Sequence, residues 1–391
     1  MAHLHYQTAG ESHGPALLAV VSGVPAGLPV DLAFIDAELS RRQGGYGRGG
    51  RQNIETDTAA VLTGVRKGHT IGSPVTLQVA NKDSRLDDDK KTPPVYTPRP
   101  GHADLAGSVK YLTTDCRETL ERASARETAA RVAAGGLAQC LLRELGIEVF
   151  GFVRSIHQAA TDVDVNESNW RSLIAARDAS DTYCPDAAAT AAQQEVIHKA
   201  KVDKTTVGGV VEVHVFGCPP GIGSTMDRRD RLDARIAGAV MGVQAIKGVE
   251  VGLGFECANR FGHEVHDPIA FDTARKSEPS LGFVRSSNNA GGLEGGMTNG
   301  APVVVRAAMK PISTLLRGMP SVDLNTKEAA KSAYERSDIC AVSAASVVVQ
   351  AVVAFEVATA LREKFGGDSM VEVREQMRVF MELARRLPLD Q

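Results

Sequence analysis

The sequence predicts a mixed α+β fold in which two related halves each pair antiparallel strands with packed helices. Near the start, a β-branched stretch at 16–24 predicts a strand, and a Gly/Pro turn leads from it to a helix that contains Ile35 and Leu39. The same order returns later in the chain. The stretch at 211–216 predicts a strand, a Gly/Pro turn follows, and apolar residues then recur at helical spacing over 232–243.

A second repeated pattern supports the first. The segments 70–75 and 298–303 both begin with threonine, carry glycine at the third position and end in Pro-Val, and each opens a predicted strand. The alternative is that two short likenesses arise by chance among 38 glycines and 17 prolines. Superposition of the two strand–turn–helix units separates these explanations.

Two further segments have a recognisable pattern. Ser124 and Glu127 have the S-x-x-E spacing of a helix N-terminus, and the Ala/Val/Leu-rich stretch after them predicts a helix that runs towards Leu145. The segment 161–204 is polar, alanine-rich and weakly patterned apart from a predicted helix around 187–201. We expect this segment to be peripheral.

The longest apolar stretch, 341–361, approaches the length of a membrane span. It contains Gln350, Glu356 and several hydroxyl residues, which hydrocarbon would penalise. The stretch therefore predicts a buried helix in the core of a soluble protein, without a membrane partner.

Composition and charge narrow the function classes. Hydrophobic residues make up 43% of the chain and charged residues 23%, which is typical of a globular protein with a large core. The 44 Lys and Arg against 47 Asp and Glu leave a formal charge of only -3, so anion binding requires a local cluster of basic residues. A nucleic-acid partner is disfavoured.

The cysteines and the N-terminus indicate the cellular compartment. The six cysteines form no CxxC pair and accompany no histidine at zinc-finger spacing, so we expect reduced thiols and no metal site. Residues 1–14 have neither the apolar core of a secretion signal nor the pattern of a transit peptide. We therefore expect a cytoplasmic protein.

Five places concentrate basic, imidazole or glycine groups where the apolar periodicity lapses. They are Gly10–Gly14 with His13; the Arg/Gly-rich run Arg41–Arg51; Pro98–Asp104 with Arg99 and His102; Arg122–Arg126; and a set formed by 288–296, Lys310–Thr314 and Arg336–Asp338. Guanidinium groups on glycine-rich loops suit phosphate and carboxylate recognition, and arginines at a helix start favour an anion. Taken singly, each place is also compatible with an ordinary loop, a hydrogen-bonded histidine or, for the Arg/Gly run, an RNA-binding tract.

Well-known nucleotide-binding and metalloprotease motifs are missing. The sequence has no GxGxxG after a strand, no GxxxxGK[ST] and no HExxH. If the five places converge in space, one site would hold two histidines, an aspartate and many arginines. That combination predicts acid–base groups beside a clamp for a polyanion.

Four blocks in this chain resemble the diagnostic blocks of the chorismate synthase family, in the family's order. They are Gly10–Gly14, Arg99–Asp104, Glu121–Ala133 and Arg336–Ala341. The resemblance spans nearly the whole chain and is weakest over 161–204. It implies a lyase of the shikimate pathway of aromatic amino-acid biosynthesis, which carries out an anti-1,4-elimination of phosphate from 5-enolpyruvylshikimate 3-phosphate to give chorismate.

The resemblance also implies the cofactor and the catalytic residues. Reduced FMN is required without net redox change, and its N5 is expected to accept the C6 proton. By position, His13 would protonate the departing phosphate, His102 would protonate the reduced flavin near N1, and Asp338 would assist proton removal. An imidazolium beside a phosphate suits the role of general acid.

The binding residues implied by the resemblance form two sets. For the substrate they are Arg42, Arg48, Arg99, Arg126 and Arg336; for the flavin they are Arg122, Ala123, Ser124, Gln244, Ala245, Gly295, Lys310, Pro311, Ile312, Ser313, Thr314 and Arg336. Some fungal relatives also reduce their flavin with NADPH, with nicotinamide contacts at the positions of Arg42 and Arg48. We expect an external flavin reductant here, and NADPH only if the protein is bifunctional.

For the fold, the resemblance implies a β-α-β sandwich, two antiparallel sheets enclosing helices, in one domain over residues 1–391 that assembles as a homotetramer. Two rival functions remain open. One is an FMN-dependent oxidoreductase with a nicotinamide partner, and the other is a non-catalytic module that binds polyphosphate or RNA through its Arg/Gly loop.

Overall fold

The computed structural model describes residues 3–49, 56–332 and 337–389, and over these ranges helices and antiparallel sheets are mixed, which confirms the α+β class. The helices are α1 (Leu32–Gln43), α2 (Asp104–Tyr111), α3 (Arg117–Ala123), α4 (Thr128–Arg143), α5 (Trp170–Asp178), α6 (Ala187–Val202), α7 (Leu232–Met241), α8 (Gly262–Val265), α9 (Val342–Lys364) and α10 (Met370–Arg385). The strands are β1 (His5–Ala9), β2 (Ala16–Ser22), β3 (Ala59–Thr63), β4 (Val65–Arg66), β5 (His69–Thr70), β6 (Val75–Ala80), β7 (Glu148–Ile156), β8 (Ala159–Ala160), β9 (Gly209–Phe216), β10 (Ile246–Val251), β11 (Ile269–Phe271), β12 (Phe283–Arg285), β13 (Leu293–Glu294), β14 (Met297–Thr298), β15 (Val303–Met309), β16 (Pro320–Val322) and β17 (Ala329–Lys331). Short 3₁₀ turns lie at Ala125–Glu127, Gly254–Asn259 and Thr273–Arg275.

Two antiparallel sheets organise the core. The first sheet has the strand order β1-β2-β6-β3, and the second has the order β10-β15-β9-β7-β8. Every neighbouring pair in both sheets is antiparallel. The remaining strands form two-stranded ribbons outside these sheets.

The strands and helices of both repeated patterns are confirmed. The chain passes from β2 to α1 in the first pattern and from β9 to α7 in the second. Strand β6 begins at Val75 and β15 begins at Val303, the last residues of the two likened segments. In the sheets, β2 lies beside β6 and β9 lies beside β15.

Helices α4 and α9 form a large part of the hydrophobic core. Helix α4 contacts β1, β2 and β6 and also β7, α9 contacts β7, β9 and β15, and the two helices pack extensively on each other. Their approach is close because Gly135 faces α9: a Cβ at Gly135 would lie 2.5 Å from the Cβ of Ala351. Helix α1 packs on α4 and α9, and α7 packs on α9 and β10.

The apolar stretch 341–361 forms most of α9. This helix is long and apolar enough to cross a membrane, but 94% of its most apolar window is buried inside the protein. Its Gln350 is satisfied in the core, since Oε1 accepts hydrogen bonds from Gly151 N and Arg41 Nη2, both at 2.9 Å. The prediction of a buried core helix is confirmed.

The predicted helix start at Ser124 is confirmed with a difference in detail. Ser124 Oγ accepts a hydrogen bond from Arg126 N, and the 3₁₀ turn at Ala125–Glu127 leads into α4. Glu127 does not close the capping box. Its carboxylate accepts hydrogen bonds from Thr8 Oγ1 at 2.5 Å and from Gln244 Nε2 at 3.0 Å. These bonds connect the helix start to β1 and to the loop after α7.

The expectation that 161–204 is peripheral is wrong for part of the segment. Thr182, Cys184 and Gln193 are almost fully buried, and Tyr183 is 9% exposed. The carbonyl of Tyr183 accepts a hydrogen bond from Val153 N of β7 at 2.9 Å. Weak apolar periodicity failed to indicate this burial because buried polar groups interrupt the apolar ones; Thr182 Oγ1, for example, donates to Gln193 Oε1 at 2.6 Å.

Candidate active site

A cavity of about 630 Å³ lies at one end of the two sheets and draws its walls from distant parts of the chain. Its lining includes His13, Arg42, Arg48, Asp83, Arg85, Arg99, His102, Ala123, Ser124, Arg126, Gln244, Ala245, Lys247, Lys310, Ile312, Ser313, Thr314 and Asp338. Among the described residues, five arginines and two lysines line the cavity against the carboxylates of Asp83 and Asp338. The wall therefore favours an anionic ligand.

His13 lies in the turn between β1 and β2, and α3 supports its ring. Its Nδ1 is 2.9 Å from Glu121 Oε1, and its backbone N–H donates to Glu121 Oε2 at 2.8 Å. The other ring nitrogen, Nε2, lies 3.4 Å from Arg85 Nη2 and 3.9 Å from Asp83 Oδ2, two residues of the cavity wall. The carboxylate therefore fixes the ring so that Nε2 is the nitrogen available to a ligand.

Glu121 stays ionised in spite of its burial. Burial raises the pKa of this carboxyl, but the hydrogen bonds and charge of His13, with Arg117 nearby, outweigh that effect and leave the pKa below its usual value. An ionised carboxylate behind Nδ1 stabilises the imidazolium that forms when Nε2 also holds a proton. The pair has the features of a general acid and its orienting group.

His102 has a similar support at the start of α2. Its Nδ1 is hydrogen-bonded to Asp104 Oδ1, and Arg99 Nε donates to Asp104 Oδ2 at 2.8 Å. Arg99 Nη1 in turn donates to Thr314 Oγ1 at 3.1 Å, which joins this turn to the opposite wall. Burial raises the pKa of Asp104, yet the hydrogen bonds from His102 and Arg99 outweigh it and hold the pKa far below its usual range.

Arg42 and Arg126 share one buried carboxylate. Arg42 Nη2 donates to Asp57 Oδ2 at 2.5 Å, and Arg126 Nη1 lies 2.7 Å from both oxygens of the same residue. Burial lowers the pKa of Arg42 to about 10, with Asp57 raising it and Arg126 lowering it. Within the described ranges the buried Nε of Arg42 has no hydrogen-bond acceptor, so the cluster keeps a positive charge and a donor for a ligand.

Arg48 and Asp338 join the glycine-rich loop to the segment before α9. Arg48 Nη1 lies 2.6 Å from Asp338 Oδ2, and Gly49 N donates to Asp338 Oδ1 at 2.6 Å. These contacts orient the carboxylate at the cavity wall. Arg336, placed in both binding sets, lies outside the described residues, as does Arg51 at the end of the Arg/Gly run.

Most of the residues matched to flavin binding lie in the same cavity. Ala123, Ser124, Gln244, Ala245, Lys310, Ile312, Ser313 and Thr314 line it. Lys310 Nζ donates to the carbonyl of Gly101 at 3.0 Å, and burial together with the nearby Lys247 lowers the pKa of this lysine. Pro311 lies between lining residues without lining the cavity itself.

Two residues of that set lie elsewhere. Arg122 is directed towards β1, where its Nη1 donates to the carbonyl of Gly10 at 3.0 Å and its Nη2 to that of Thr8 at 2.9 Å. Gly295 lies in the turn between β13 and β14 with a φ of 59°, so the hairpin alone accounts for a glycine at that position. Neither residue is part of the cavity wall.

Several members of the site are absent from the residues predicted from the sequence. Arg85 and Lys247 line the cavity, and Asp57, Asp104 and Glu121 hold its cations and histidines in place. Asp104 and Glu121 fall inside the quoted motif blocks, so two residue types suited to orienting a histidine were in view. Arg85 and Asp57 have no comparable signal because each is flanked by ordinary polar sequence.

Two carboxylate-backed imidazoles inside a cation-rich cavity define an acid–base enzyme for a polyanionic small molecule. The sequence model of the chorismate synthase family matches residues 4–361. The chain is 51% identical to the chorismate synthase of Desulforamulus reducens, with 98% of this chain and all of the relative covered, and 52% identical to that of Desulforudis audaxviator, with 98% of each covered. A crystal structure of a chorismate synthase superposes with a TM-score of 0.80 at 40% identity over 98% of both chains.

The chain therefore belongs to the chorismate synthase family. The family's activity is that of a lyase, and the predicted family and enzyme class are confirmed.

Proposed function

We propose that the cavity binds 5-enolpyruvylshikimate 3-phosphate beside reduced FMN and removes the C3 phosphate and a C6 proton to give chorismate. The observation that carries the proposal is His13, whose Nδ1 is backed by Glu121 while Nε2 faces Arg85 at the cavity wall. An imidazole held in this way donates a proton to a leaving phosphate. Arg85 adds a positive charge at the same point.

The substrate needs several cations. Two carboxylates and one phosphate carry roughly three to four negative charges at neutral pH. Arg42, Arg48, Arg99 and Arg126 line the cavity, and we propose that they bind these groups together with Arg336. Because carboxylates already hold the four lining guanidiniums in position, little ordering remains to be done when the substrate binds.

The wall formed by Gln244, Ala245 and the segment 310–314 suits a flavin mononucleotide. Gln244 and Ala245 provide a neutral surface, Lys310 supplies a cation, and Ser313 and Thr314 are hydroxyl residues at the wall. Among the described residues, the buried Oε1 of Gln244 has no hydrogen-bond donor, which a ligand N–H or hydroxyl would satisfy. Reduced FMN, when bound, would supply transient electron density and a basic N5.

His102 and Asp338 complete the proposed proton chemistry. Asp104 and Arg99 fix the His102 ring, so that it can hold a proton at the N1 edge of the reduced flavin. Asp338, oriented by Arg48 and Gly49, would assist removal of the C6 proton. The buried side chains of Arg99 and Asp104 exclude bulk water from one side of the His102 ring.

An anaerobic assay tests the function. The protein, incubated with photoreduced FMN and 5-enolpyruvylshikimate 3-phosphate, should release phosphate and form the diene product, measured by its absorbance, in equal amounts. Reductant from an external source should be needed only in sub-stoichiometric amounts. Consumption of NADPH in proportion to product would favour an FMN oxidoreductase. We would then assign nicotinamide contacts to Arg42 and Arg48. Absence of product together with salt-sensitive RNA binding would favour the anion-binding module.

We also propose that the chain is one domain built from two related halves, as a β-α-β sandwich. The first half runs from β1 to α4 and the second from β7 to α9. In support, the order β1-β2-β6-β3 corresponds to β7-β9-β15-β10, and residues from both sheets belong to one hydrophobic core. Superposition of the halves tests this, because unrelated strand directions or helix positions would contradict it.

For assembly we propose a cytoplasmic homotetramer. The region 252–285 supports association because it projects aromatic side chains into solvent: Phe255 is 79% exposed, Phe261 75% and Phe271 53%. Apolar groups of this size are commonly covered in an assembled protein. Light scattering should give four times the chain mass of 41.4 kDa; a monomer would contradict the proposal.

A further inference from the structure

A tyrosine outside the cavity holds the end of the helix that carries Arg42. Tyr183 is buried, and its backbone φ of 60° is uncommon for a residue with a side chain. Its Oη donates a hydrogen bond of 2.8 Å to the carbonyl oxygen of Arg41, in the last turn of α1. The hydroxyl therefore adds a second hydrogen bond to a carbonyl at the helix C-terminus, which also accepts one from Gly44 N at 3.2 Å.

Gly44 packs directly against this hydroxyl. A Cβ at Gly44 would lie 2.2 Å from Tyr183 Oη, whereas the next ring atom, Cζ, would be 3.3 Å away. The φ of Gly44 is −71°, which any residue adopts. Glycine is thus required at this position by the tyrosine hydroxyl and not by the backbone conformation.

The rest of the loop is held between two segments. On one side, Tyr46 N donates to the carbonyl of Asp181 at 2.7 Å. On the other side, Ile339 N donates to the carbonyl of Gly47 at 2.9 Å, and Gly49 N donates to Asp338. A displacement of 181–183 would therefore be transmitted through 44–49 to the neighbourhood of Asp338.

We infer that Tyr183 is a positioning residue for the active site: its hydroxyl fixes the start of the loop 44–49 and so the placement of Arg48 and Asp338. Its effect on catalysis rests on the proposed function, because that function gives Arg48 and Asp338 their roles. Its effect on the loop does not depend on any activity.

The first test is Tyr183→Phe, which removes only the hydroxyl. Hydrogen–deuterium exchange of peptides that cover 44–49 and 338–341 should become faster, and KM for 5-enolpyruvylshikimate 3-phosphate should rise by about threefold to tenfold with a smaller change in kcat, the size expected for one lost hydrogen bond. Tyr111→Phe is the matched control, since Tyr111 is 62% exposed at the end of α2. Exchange rates equal to wild type at both segments would overturn the inference.

The second test uses Gly44→Ala in two backgrounds. In the wild type the new methyl collides with Oη, so exchange over 44–49 and KM should rise by more than in Tyr183→Phe. In the Tyr183→Phe background the methyl occupies the space of the lost oxygen, and both quantities should return to those of Tyr183→Phe alone. Gly238→Ala is the control glycine, because nothing lies within 4 Å of its added Cβ.

The outcomes separate this inference from the proposed function. An equal effect of Gly44→Ala in both backgrounds would overturn the positioning role, whatever the activity. If the wild type releases no phosphate from the substrate, the proposed function fails, whereas the exchange data still support or contradict the hold of Tyr183 on the loop.

Discussion

The loop after α1 and the loop after α7 occupy corresponding places in the two proposed halves, yet they bring different chemistry into one cavity. The last turn of α1 supplies Arg42 and the loop after it supplies Arg48, whereas the loop after α7 supplies Gln244 and Ala245. Positively charged groups suited to a polyanion thus come from the end of α1 and its loop. The loop after α7 provides a neutral surface.

The segments that lead into α4 and α9 show the same contrast. Between β6 and α4 the chain supplies Arg85 and His102, while between β15 and α9 it supplies Ser313, Thr314 and Asp338. Two halves with different chemistry would allow one fold to accommodate two unlike ligands. Substitution of His13 or of the first-half arginines should impair substrate binding and phosphate protonation, whereas substitution of the second-half residues, and of His102, should impair the steps at the flavin wall.

The largest effect should follow from Asp57→Asn. The amide keeps the shape but leaves Arg42 and Arg126 buried beside each other without their shared negative charge. Loss of one partner from a buried ion pair costs about 3 to 5 kcal/mol, so urea unfolding should show a loss of about 3 kcal/mol or more. The exposed pair of Asp227 and Arg229 provides the control Asp227→Asn; equal stability of the two variants would contradict the role of Asp57.

His13→Ala and His102→Ala should each lower turnover by about 10²-fold or more, the typical size of a lost general acid. Both side chains lie at the cavity wall, so the fold should persist, as circular dichroism can check. His263→Ala, in α8, is the matched control. Wild-type turnover in either variant would remove that histidine from the chemistry.

Asp338→Asn probes the second half. Slower proton loss should lower turnover by about tenfold or more and enlarge the C6 deuterium isotope effect, while reduced FMN still binds. A spectroscopic titration measures the flavin affinity. Normal turnover with an unchanged isotope effect would count against a role for this carboxylate.

Arg85→Gln should raise KM by about tenfold and lower kcat less, because one charge-assisted hydrogen bond to phosphate contributes about 1.5 to 3 kcal/mol. Arg229→Gln is the control, since the Arg229 side chain is 80% exposed. Steady-state kinetics measures KM and kcat for the two variants. An unchanged KM would show that Arg85 is a wall residue without contact to the substrate.

The smallest effect concerns acid stability. The folded pKa of Glu121 lies below its usual value, so its contribution to stability is complete above the unfolded pKa of about 4.3 and is lost as the pH falls through the folded value. Glu121→Gln should therefore flatten the fall in unfolding free energy below about pH 5. The same slope in the variant and the wild type would contradict this linkage.

The sequence predicted the main elements well because their signals are local. The strands β2 and β9 and the helices α1 and α7 follow from periodicity and Gly/Pro turns, and α9 follows from its unbroken apolar run with internal polar groups. His13, His102 and Asp338 were found because the motif blocks carry them. That these three share one cavity is a property of the chain path, which no local pattern contains.

The missed features depend on contacts between distant residues. Asp57 is an ordinary acid in the sequence and becomes important only where Arg42 and Arg126 converge on it. Tyr183 lies in a weakly patterned segment and acts through a single hydroxyl. For Gly295 the flavin assignment stays a prediction, and the left-handed turn of the hairpin is a second reason for glycine at that position.

A crystal structure of the protein with 5-enolpyruvylshikimate 3-phosphate and FMN would test most directly whether the two halves build one site. We expect the phosphate within hydrogen-bond distance of His13 Nε2 and Arg85, and the flavin against Gln244 and the segment 310–314. A substrate phosphate bound away from His13, or a flavin bound outside this cavity, would contradict it.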